Sequence, residues 1–275
     1  MLYVCATPIG NLGDVTSRVL DMLRRADLIA AEDTRRTRKL LSHFDIHTPL
    51  TSFYAHNEAQ KTAYVLERLR AGAEVALVTD AGLPGISDPG TRLVAAALAE
   101  GLPLSVLPGP SAPATALVAS GLSDDAGFRF VGYLPRRSRD LRAAVGSWRR
   151  CGGVVVAFET PQRLAGSLGE LATLVPDAPA AVCRELTKVH EEVARGRVAE
   201  LAARFAPDAE VRGEITLVLD LGEADDGAAA PDAVGAAAAL LARGLSSRDT
   251  AAALTVCLGL SHRQAFAAVR SAAGS

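Results

Sequence analysis

The chain has 275 residues, 49% of them apolar and 22% charged, with a formal net charge of −2. At the usual ~100–200 residues per domain this predicts a soluble globular protein of about two domains and excludes a disordered chain. No run reaches the ~18 apolar residues of a membrane span, and Thr7-Pro8-Ile9-Gly10-Asn11 interrupts the first apolar stretch, so a leader and a membrane anchor are both disfavoured and a cytoplasmic location is expected.

From the amino end, short apolar runs alternate with amphipathic stretches. Leu2 to Ala6 precedes Val15 to Arg25, Leu28 to Ala31 precedes Arg35 to Leu41, and Val75 to Val78 precedes Thr91 to Glu100. This rhythm predicts βαβ units and a mostly parallel sheet over an N-terminal α/β domain, residues 1–118. Leu104 to Leu107 reads as a further strand, running into Pro108-Gly109-Pro110-Ser111-Ala112-Pro113 and a short helix. From about Ser120 the strands Phe128 to Val131, Val154 to Phe158, Ala180 to Cys183 and Ile215 to Leu219 predict a second, mixed α/β domain, residues 119–222. Residues 223–231, small and acidic, read as a linker. Residues 232–275 read as three short helices resembling a helix-turn-helix, with Ser246 or Ser247 and then Ser261 as N-caps and Ser261 to Gln264 at capping-box spacing. The apolar positions of these helices are mostly alanine, so a thin core is expected. Cys5, Cys151, Cys183 and Cys257 lie far apart, mostly in apolar runs, and are expected to be reduced core thiols.

Chemistry is expected where turns leave predicted strand ends, because open α/β sheets bind ligands there. The most pronounced is Thr79-Asp80-Ala81-Gly82-Leu83-Pro84-Gly85-Ile86-Ser87-Asp88-Pro89-Gly90, which combines carboxylates, glycines that allow close approach, and prolines that stiffen the loop. The plain alternative is that Asp80 and Ser87 cap the next helix. Standard templates fail: no two glycines stand two apart, which removes the dinucleotide fingerprint, and no glycine-lysine pair offers a phosphate loop. His190-Glu191-Glu192 lacks the second histidine of a zincin, and His43 with His47 lacks a third ligand, so no metal is expected. Proline at position 113 spoils a nucleophile elbow at Ser111.

The remaining motifs are Thr7 to Asp14, Glu32-Asp33-Thr34-Arg35, His56-Asn57-Glu58, the Asp80 and Ser111 loops, Ser120-Gly121-Leu122, Gly132-Tyr133-Leu134-Pro135, Arg184-Glu185-Leu186-Thr187-Lys188 and Gly213-Glu214. In this order, from Thr7 to about Leu221, they resemble the ribosomal RNA small subunit methyltransferase I family of tetrapyrrole-methylase-like, class III methyltransferases. The resemblance implies two α/β domains of that type with a cofactor cleft between them, a small C-terminal helical extension, and usually a homodimer. It also implies transfer of a methyl group from S-adenosylmethionine to the 2′-hydroxyl of a cytidine in small-subunit (16S) ribosomal RNA, near the decoding centre. The chain departs from the family pattern at Leu83-Pro84-Gly85, Ser111, Phe158 and Gln162.

Under this resemblance Asp80 orients cationic parts of the cofactor and the amides of Gly82, Ile86 and Ser87 take its polar remainder. Ile86 packs on an apolar part, Ser111 and Ala112 contact the adenosine half, and Ile9, Phe158, Leu186 and Gly213 complete the pocket. A ribose hydroxyl is a weak nucleophile, so a base or a cation is sought among Asp33, His56, Glu159, Glu185 and Lys188. Arg35, Arg36, Arg38 and Lys39, with Arg136, Arg137 and Arg139, are the candidate RNA phosphate contacts. Two other functions stay open: a small-molecule, tetrapyrrole-type methylase of the same superfamily, and a noncatalytic RNA-binding or ribosome-assembly factor.

Overall fold

The computed structural model describes residues 1–123, 127–224 and 233–273. The first sheet uses β1 (Leu2–Cys5), β2 (Leu28–Ala31), β3 (Leu50–Ser52), β4 (Val75–Val78) and β5 (Leu104–Leu107). They lie in the order β3-β2-β4-β1-β5, and every pairing is parallel. All four residues of β2 and of β4 are buried. A continuous apolar run of this kind suits a central parallel strand covered on both faces.

The covering helices are α1 (Ser17–Arg25), α2 (Thr34–His43), α3 (Glu58–Arg70) and α4 (Thr91–Ala99), with α5 (Ala112–Ser120) after β5. In α1 the buried Val19, Met22 and Leu23 repeat at helical spacing, and Thr16 caps the helix by accepting from the Val19 amide at 3.2 Å. Their burial contributes roughly 5–8 kcal/mol as an upper bound. These residues join Ile29, Val78 and Leu107 on one side of the sheet; Val65, Leu66 and Leu69 of α3 and Leu93 of α4 join Leu2, Leu77 and Phe53 on the other.

The second sheet contains β6 (Phe128–Tyr133), β7 (Val154–Glu159), β8 (Pro179–Arg184), β9 (Glu192–Arg197) and β10 (Ile215–Asp220). Its order is β6-β7-β10-β8-β9, with only β6 and β7 parallel among the described strands. Helix α5 is nearly apolar all round, and one face of it covers this sheet: Ala116 and Leu117 pack with Val154, Val156, Ala181, Cys183 and Val218, while Val118 is exposed. Gly121, at φ 74°, ends it in a left-handed cap. The remaining helices of this region are α6 (Ser138–Cys151), α7 (Pro161–Leu174) and α8 (Val198–Arg204).

Both sheets belong to one compact unit, Met1–Ser138 with Val154–Asp220. A second unit holds Arg139–Gly153 and the described residues from Leu221 onward, including α9 (Ala233–Ala242), α10 (Ser247–Leu258) and α11 (His262–Ala273). The last three helices share a thin core of Ala237, Ala251, Leu254, Ala265, Ala268 and Val269. Ser246 caps α10 through the Asp249 amide at 3.1 Å, and Ser261 exchanges bonds with Gln264 as a capping box. Most of the stretch read as a linker, from residue 225 on, lies outside the described residues. Cys5 and Cys183 are buried, but Cys151 and Cys257 are exposed, which corrects the expectation of four core thiols. Cys151 is the last residue of α6, and Cys257 lies on α10 apart from the buried Thr250, Ala251 and Leu254. No helix among the described residues is long and apolar enough to cross a membrane.

Candidate active site

The loops that leave β1, β2, β4 and β5 meet at the carboxyl edge of the first sheet around a cavity of about 650 Å³. They contribute Ile9, Glu32, the Asp80 to Asp88 turn, and Pro108 to Pro113. The second sheet supplies Phe128, Phe130 and Tyr133 of β6, the carboxyl end of β7, Leu186 after β8, and Gly213 to Thr216 at the entry to β10. Because β10 runs against its neighbours, its first residue, Ile215, pairs with Glu159 and with Arg184, so one edge of the sheet faces the cavity.

The Asp80 turn is held rigidly. Thr7 and Gly82 exchange backbone hydrogen bonds at 2.8 and 3.0 Å, tying the turn to the loop after β1. Gly82, Gly85, Ser87 and Gly90 all have positive φ. At Gly90, φ is 131° and an added Cβ would lie 2.9 Å from Leu77 Cδ2, so only glycine fits there. Helix α4 has Gly90 at its N-cap and no side-chain cap bond, which removes the reading of Asp80 and Ser87 as caps. Instead Asp80 accepts from the Asp33 amide at 3.1 Å and pairs with Arg36 at 3.4 Å. The amides of Gly82 and Ile86 already bond to Thr7 O and Leu83 O, so these two donors are committed within the protein.

The cavity is acidic and partly apolar. Glu32, Asp80, Asp88, Glu159 and Glu214 line it, with Arg36 at its edge. Burial raises the Glu32 carboxyl, and the Asp80 charge adds to this against the bond from the Asp80 amide. Burial also raises Asp80, opposed by Arg36. Asp88 is pushed up to about 7 by burial and then by Glu32. The Tyr133 phenol is raised by burial and by Asp88 and Glu214. Phe158 meets Phe130 and Tyr133 edge-on, with centroids 4.9 and 5.5 Å apart, forming an aromatic wall.

Of the anticipated cofactor contacts, Ile9, Asp80, Gly82, Ile86, Ser111, Ala112, Phe158, Leu186 and Gly213 line this cavity, whereas Ser87 does not. Glu159 lines it too, but its carboxylate is buried against the Thr160 amide at 2.7 Å, the Ser167 hydroxyl at 2.5 Å and Arg163 at 3.2 Å. Asp33, His56 and Lys188 lie outside the lining. Asp33 caps α2 and clamps Arg35, whose bonds hold its carboxyl down at about 2. His56 is exposed beside Tyr54, with ring centroids 6.4 Å apart. Lys188 bonds Glu185 at 2.8 Å and Glu214 at 3.0 Å, and those bonds outweigh burial and raise it further. Glu185 is drawn down despite burial by the same lysine and the Glu214 amide.

Arg35, Arg36, Arg38 and Lys39 are exposed on the first turns of α2. Arg36 borders both the cavity and a smaller recess of about 160 Å³ that Lys39 also lines. Arg136 and Arg137 are exposed after β6, and Arg139 is exposed on α6. Sequence reasoning passed over Glu32, Asp88, Tyr133 and Glu214 as site residues. Each stood inside a motif already singled out; for Glu32, Tyr133 and Glu214 the available signal was a position at a strand end, whereas Asp88, far along the turn after β4, carried none.

The family model of the Tetrapyrrole (Corrin/Porphyrin) Methylases matches residues 1–202. Among curated relatives, the ribosomal RNA small subunit methyltransferase I of Halalkalibacterium halodurans is 43% identical over 80% of this chain and 75% of its own length. That of Micromonospora olivasterospora is 41% identical over 79% of this chain and 69% of its own. Among solved structures, uroporphyrin-III C-methyl transferase from Thermus thermophilus complexed with S-adenyl homocysteine superposes with a TM-score of 0.56 at 21% identity, covering 80% of this chain and 96% of that one. Diphthine synthase gives 0.60 at 16% identity, covering 80% and 89%. These distant structures share the fold.

Proposed function

We propose, from the premise that this chain belongs to the ribosomal RNA small subunit methyltransferase I family within the tetrapyrrole methylases, that it uses S-adenosylmethionine to methylate small-subunit ribosomal RNA. The acceptor in this reading is the ribose 2′-hydroxyl of a cytidine, presented by the assembled subunit. The observation that carries it is a cavity formed by strand-end loops of both sheets and lined by carboxylates together with apolar side chains.

The cavity suits the donor. Its volume lies within the ~300–1,000 Å³ typical of small-molecule sites. Its carboxylates match a ligand carrying a sulfonium and an ammonium, and Ile9, Ile86 and Leu186 offer apolar contact. When bound, S-adenosylmethionine supplies an electrophilic methyl group on a positively charged sulfur. The protein's work is then to align acceptor and donor and to exclude water. Asp80, fixed by the Asp33 amide and Arg36, orients the cationic end. The rigid turn from Gly82 to Ile86 and the Ser111-Ala112 entry to α5 frame the remainder.

Asp33, Glu159 and Lys188 are assigned positioning roles: Asp33 starts α2, Glu159 anchors the end of β7, and Lys188 joins Glu185 to the entry of β10. His56 is left with no direct part in the chemistry. Arg36 and Lys39, beside the cavity mouth, hold RNA phosphates, with Arg35, Arg38, Arg136, Arg137 and Arg139 as further contacts. A homodimer in the cytoplasm completes the reading. The exposed Leu98, Val106 and Val118 support an apolar contact between copies.

Calorimetry with S-adenosylmethionine, together with mapping of ribose methylation in small-subunit RNA from strains with and without the protein, tests this directly. Donor binding and one ribose methyl lost with the protein are expected. Absence of donor binding would favour a noncatalytic RNA-binding factor, and methylation of a tetrapyrrole with none on RNA would favour the small-molecule enzyme.

A further inference from the structure

We propose that the side chain of Asp88 is the general base that takes the proton of the acceptor hydroxyl, an inference that rests on the methyltransfer reading above. The other acids lining the cavity are engaged. Glu32 accepts from the Asp80 amide at 3.3 Å. Asp80 holds the Asp33 amide and Arg36, Glu159 is buried among Thr160, Ser167 and Arg163, and Glu214 pairs with Lys188 at 3.0 Å. Asp88 is half-buried in the cavity wall, with the Thr79 side chain beside it.

The backbone presents this residue deliberately. Ser87 sits at φ 65° and Gly90 at φ 131°, so Asp88 lies between two left-handed turns. Such strain in a non-glycine residue persists only where the surroundings enforce it, and it concentrates at functional sites. The enforcement is visible from two sides. Glu58 of α3 accepts from the Gly90 amide at 3.0 Å, and Gly132 of β6 comes so close that a Cβ there would lie 3.3 Å from Ser87 Oγ.

The groups that bear on Asp88 come from several elements. Glu32 follows β2, Asp80 follows β4, Glu214 precedes β10, Tyr133 ends β6, and Arg36 of α2 acts through its pair with Asp80. The carboxyl therefore titrates at about 7, near the operating pH at which a general base works best. In the step, the O2′–H bond breaks and its proton passes to Asp88. The oxygen lone pair forms the new O–CH3 bond, and the S–CH3 bond breaks with its electron pair remaining on sulfur, leaving a neutral thioether. Solvent later removes the proton from Asp88.

The test compares wild type, Asp88→Asn and Asp88→Glu by methylation rate against pH, by calorimetric donor affinity, and by carbon NMR titration of aspartate carboxyls. Asp88→Asn is expected to lose about 100-fold or more in kcat, and the rising limb near neutral pH, while donor affinity stays within about twofold. The NMR titration is expected to show a carboxyl with a near-neutral midpoint that vanishes in Asp88→Asn, and Asp88→Glu retains part of the rate. An Asp88→Asn enzyme within about threefold of wild type with the same pH profile overturns the proposal. So does one that has lost donor binding, since Asp88 then belongs to the donor site. A wild-type protein that binds no donor overturns the parent reading instead.

Discussion

Replacing Gly213 by alanine isolates how the entry to β10 is locked to the loop after β8. Gly213 has φ 93°, and an added Cβ would lie 2.5 Å from Glu185 Cγ and closer still to its carboxyl. Holding an alanine at positive φ costs roughly 1–2 kcal/mol. The Glu185 carboxyl must also leave its place, giving up bonds from the Glu214 amide at 2.9 Å and Lys188 Nζ at 2.8 Å. With their partial exposure taken into account, these two bonds contribute about 2 kcal/mol together. Gly213→Ala is therefore expected to destabilise by about 3–4 kcal/mol, which lowers Tm by roughly 6–16 °C. Glu185→Ala alone costs about 2 kcal/mol. The double variant contains no collision, so it costs about 3–4 kcal/mol rather than the sum, a coupling near 2 kcal/mol. Denaturant unfolding of the four proteins measures this coupling. Additivity to within about 0.5 kcal/mol would refute the reasoning.

Gly10→Ala drives a Cβ to 2.5 Å from Lys188 Cγ and 3.0 Å from the Leu186 carbonyl oxygen, pushing Ile9 and Leu186 apart across the cavity. A loss of about 1–3 kcal/mol in unfolding free energy is expected, with weaker donor binding by calorimetry; unchanged affinity counts against a shared wall. Asp88 has its carboxyl raised from 3.8 to about 7, so the folded protein binds more protons than the unfolded chain in that window. Its contribution to stability is complete below about pH 4 and fades as pH climbs through about 7. Asp88→Asn should therefore gain thermal stability relative to wild type as pH is raised from 4 to 8, and a constant difference in Tm contradicts this. Arg36→Ala and Lys39→Ala should each flatten the dependence of log K for RNA on log salt by about one unit, read from binding titrations at several salt concentrations.

The parallel sheet was legible because β2 and β4 are short, wholly apolar runs separated by helices of clear periodicity. The antiparallel edge was not: β9 reads Glu-Val-Ala-Arg-Gly-Arg and owes its pairing to β8 rather than to its own pattern. β3 is only three residues long, and α3 has a weak apolar stripe whose burial of Val65, Leu66 and Leu69 depends on the sheet beneath. In the site, loop location was readable but side-chain direction was not. At the end of β2 the two neighbouring acids point different ways, Glu32 into the cavity and Asp33 to the start of α2. Asp88 sits eight residues beyond Asp80, yet both line the cavity, with Ser87 in the left-handed region just before Asp88.

Under the proposed function, the charge layout explains how a chain of net charge −2 would serve an RNA substrate. Five carboxylates line the cavity, and the exposed cations of α2 begin at its mouth with Arg36. Phosphates are repelled from the interior and attracted to the rim, while a neutral nucleoside meets neither barrier. The arrangement favours an acceptor nucleotide turned inward with its backbone left outside, at a local cost in unstacking. It also gives Arg36 two opposed attachments, Asp80 within and phosphate without. Arg36→Ala should therefore weaken RNA binding and also loosen Asp80, raising donor Kd, whereas Lys39→Ala, which has no bond to Asp80, should weaken RNA binding alone. Equal donor affinity in the two variants would separate the rim from the cleft and remove this coupling.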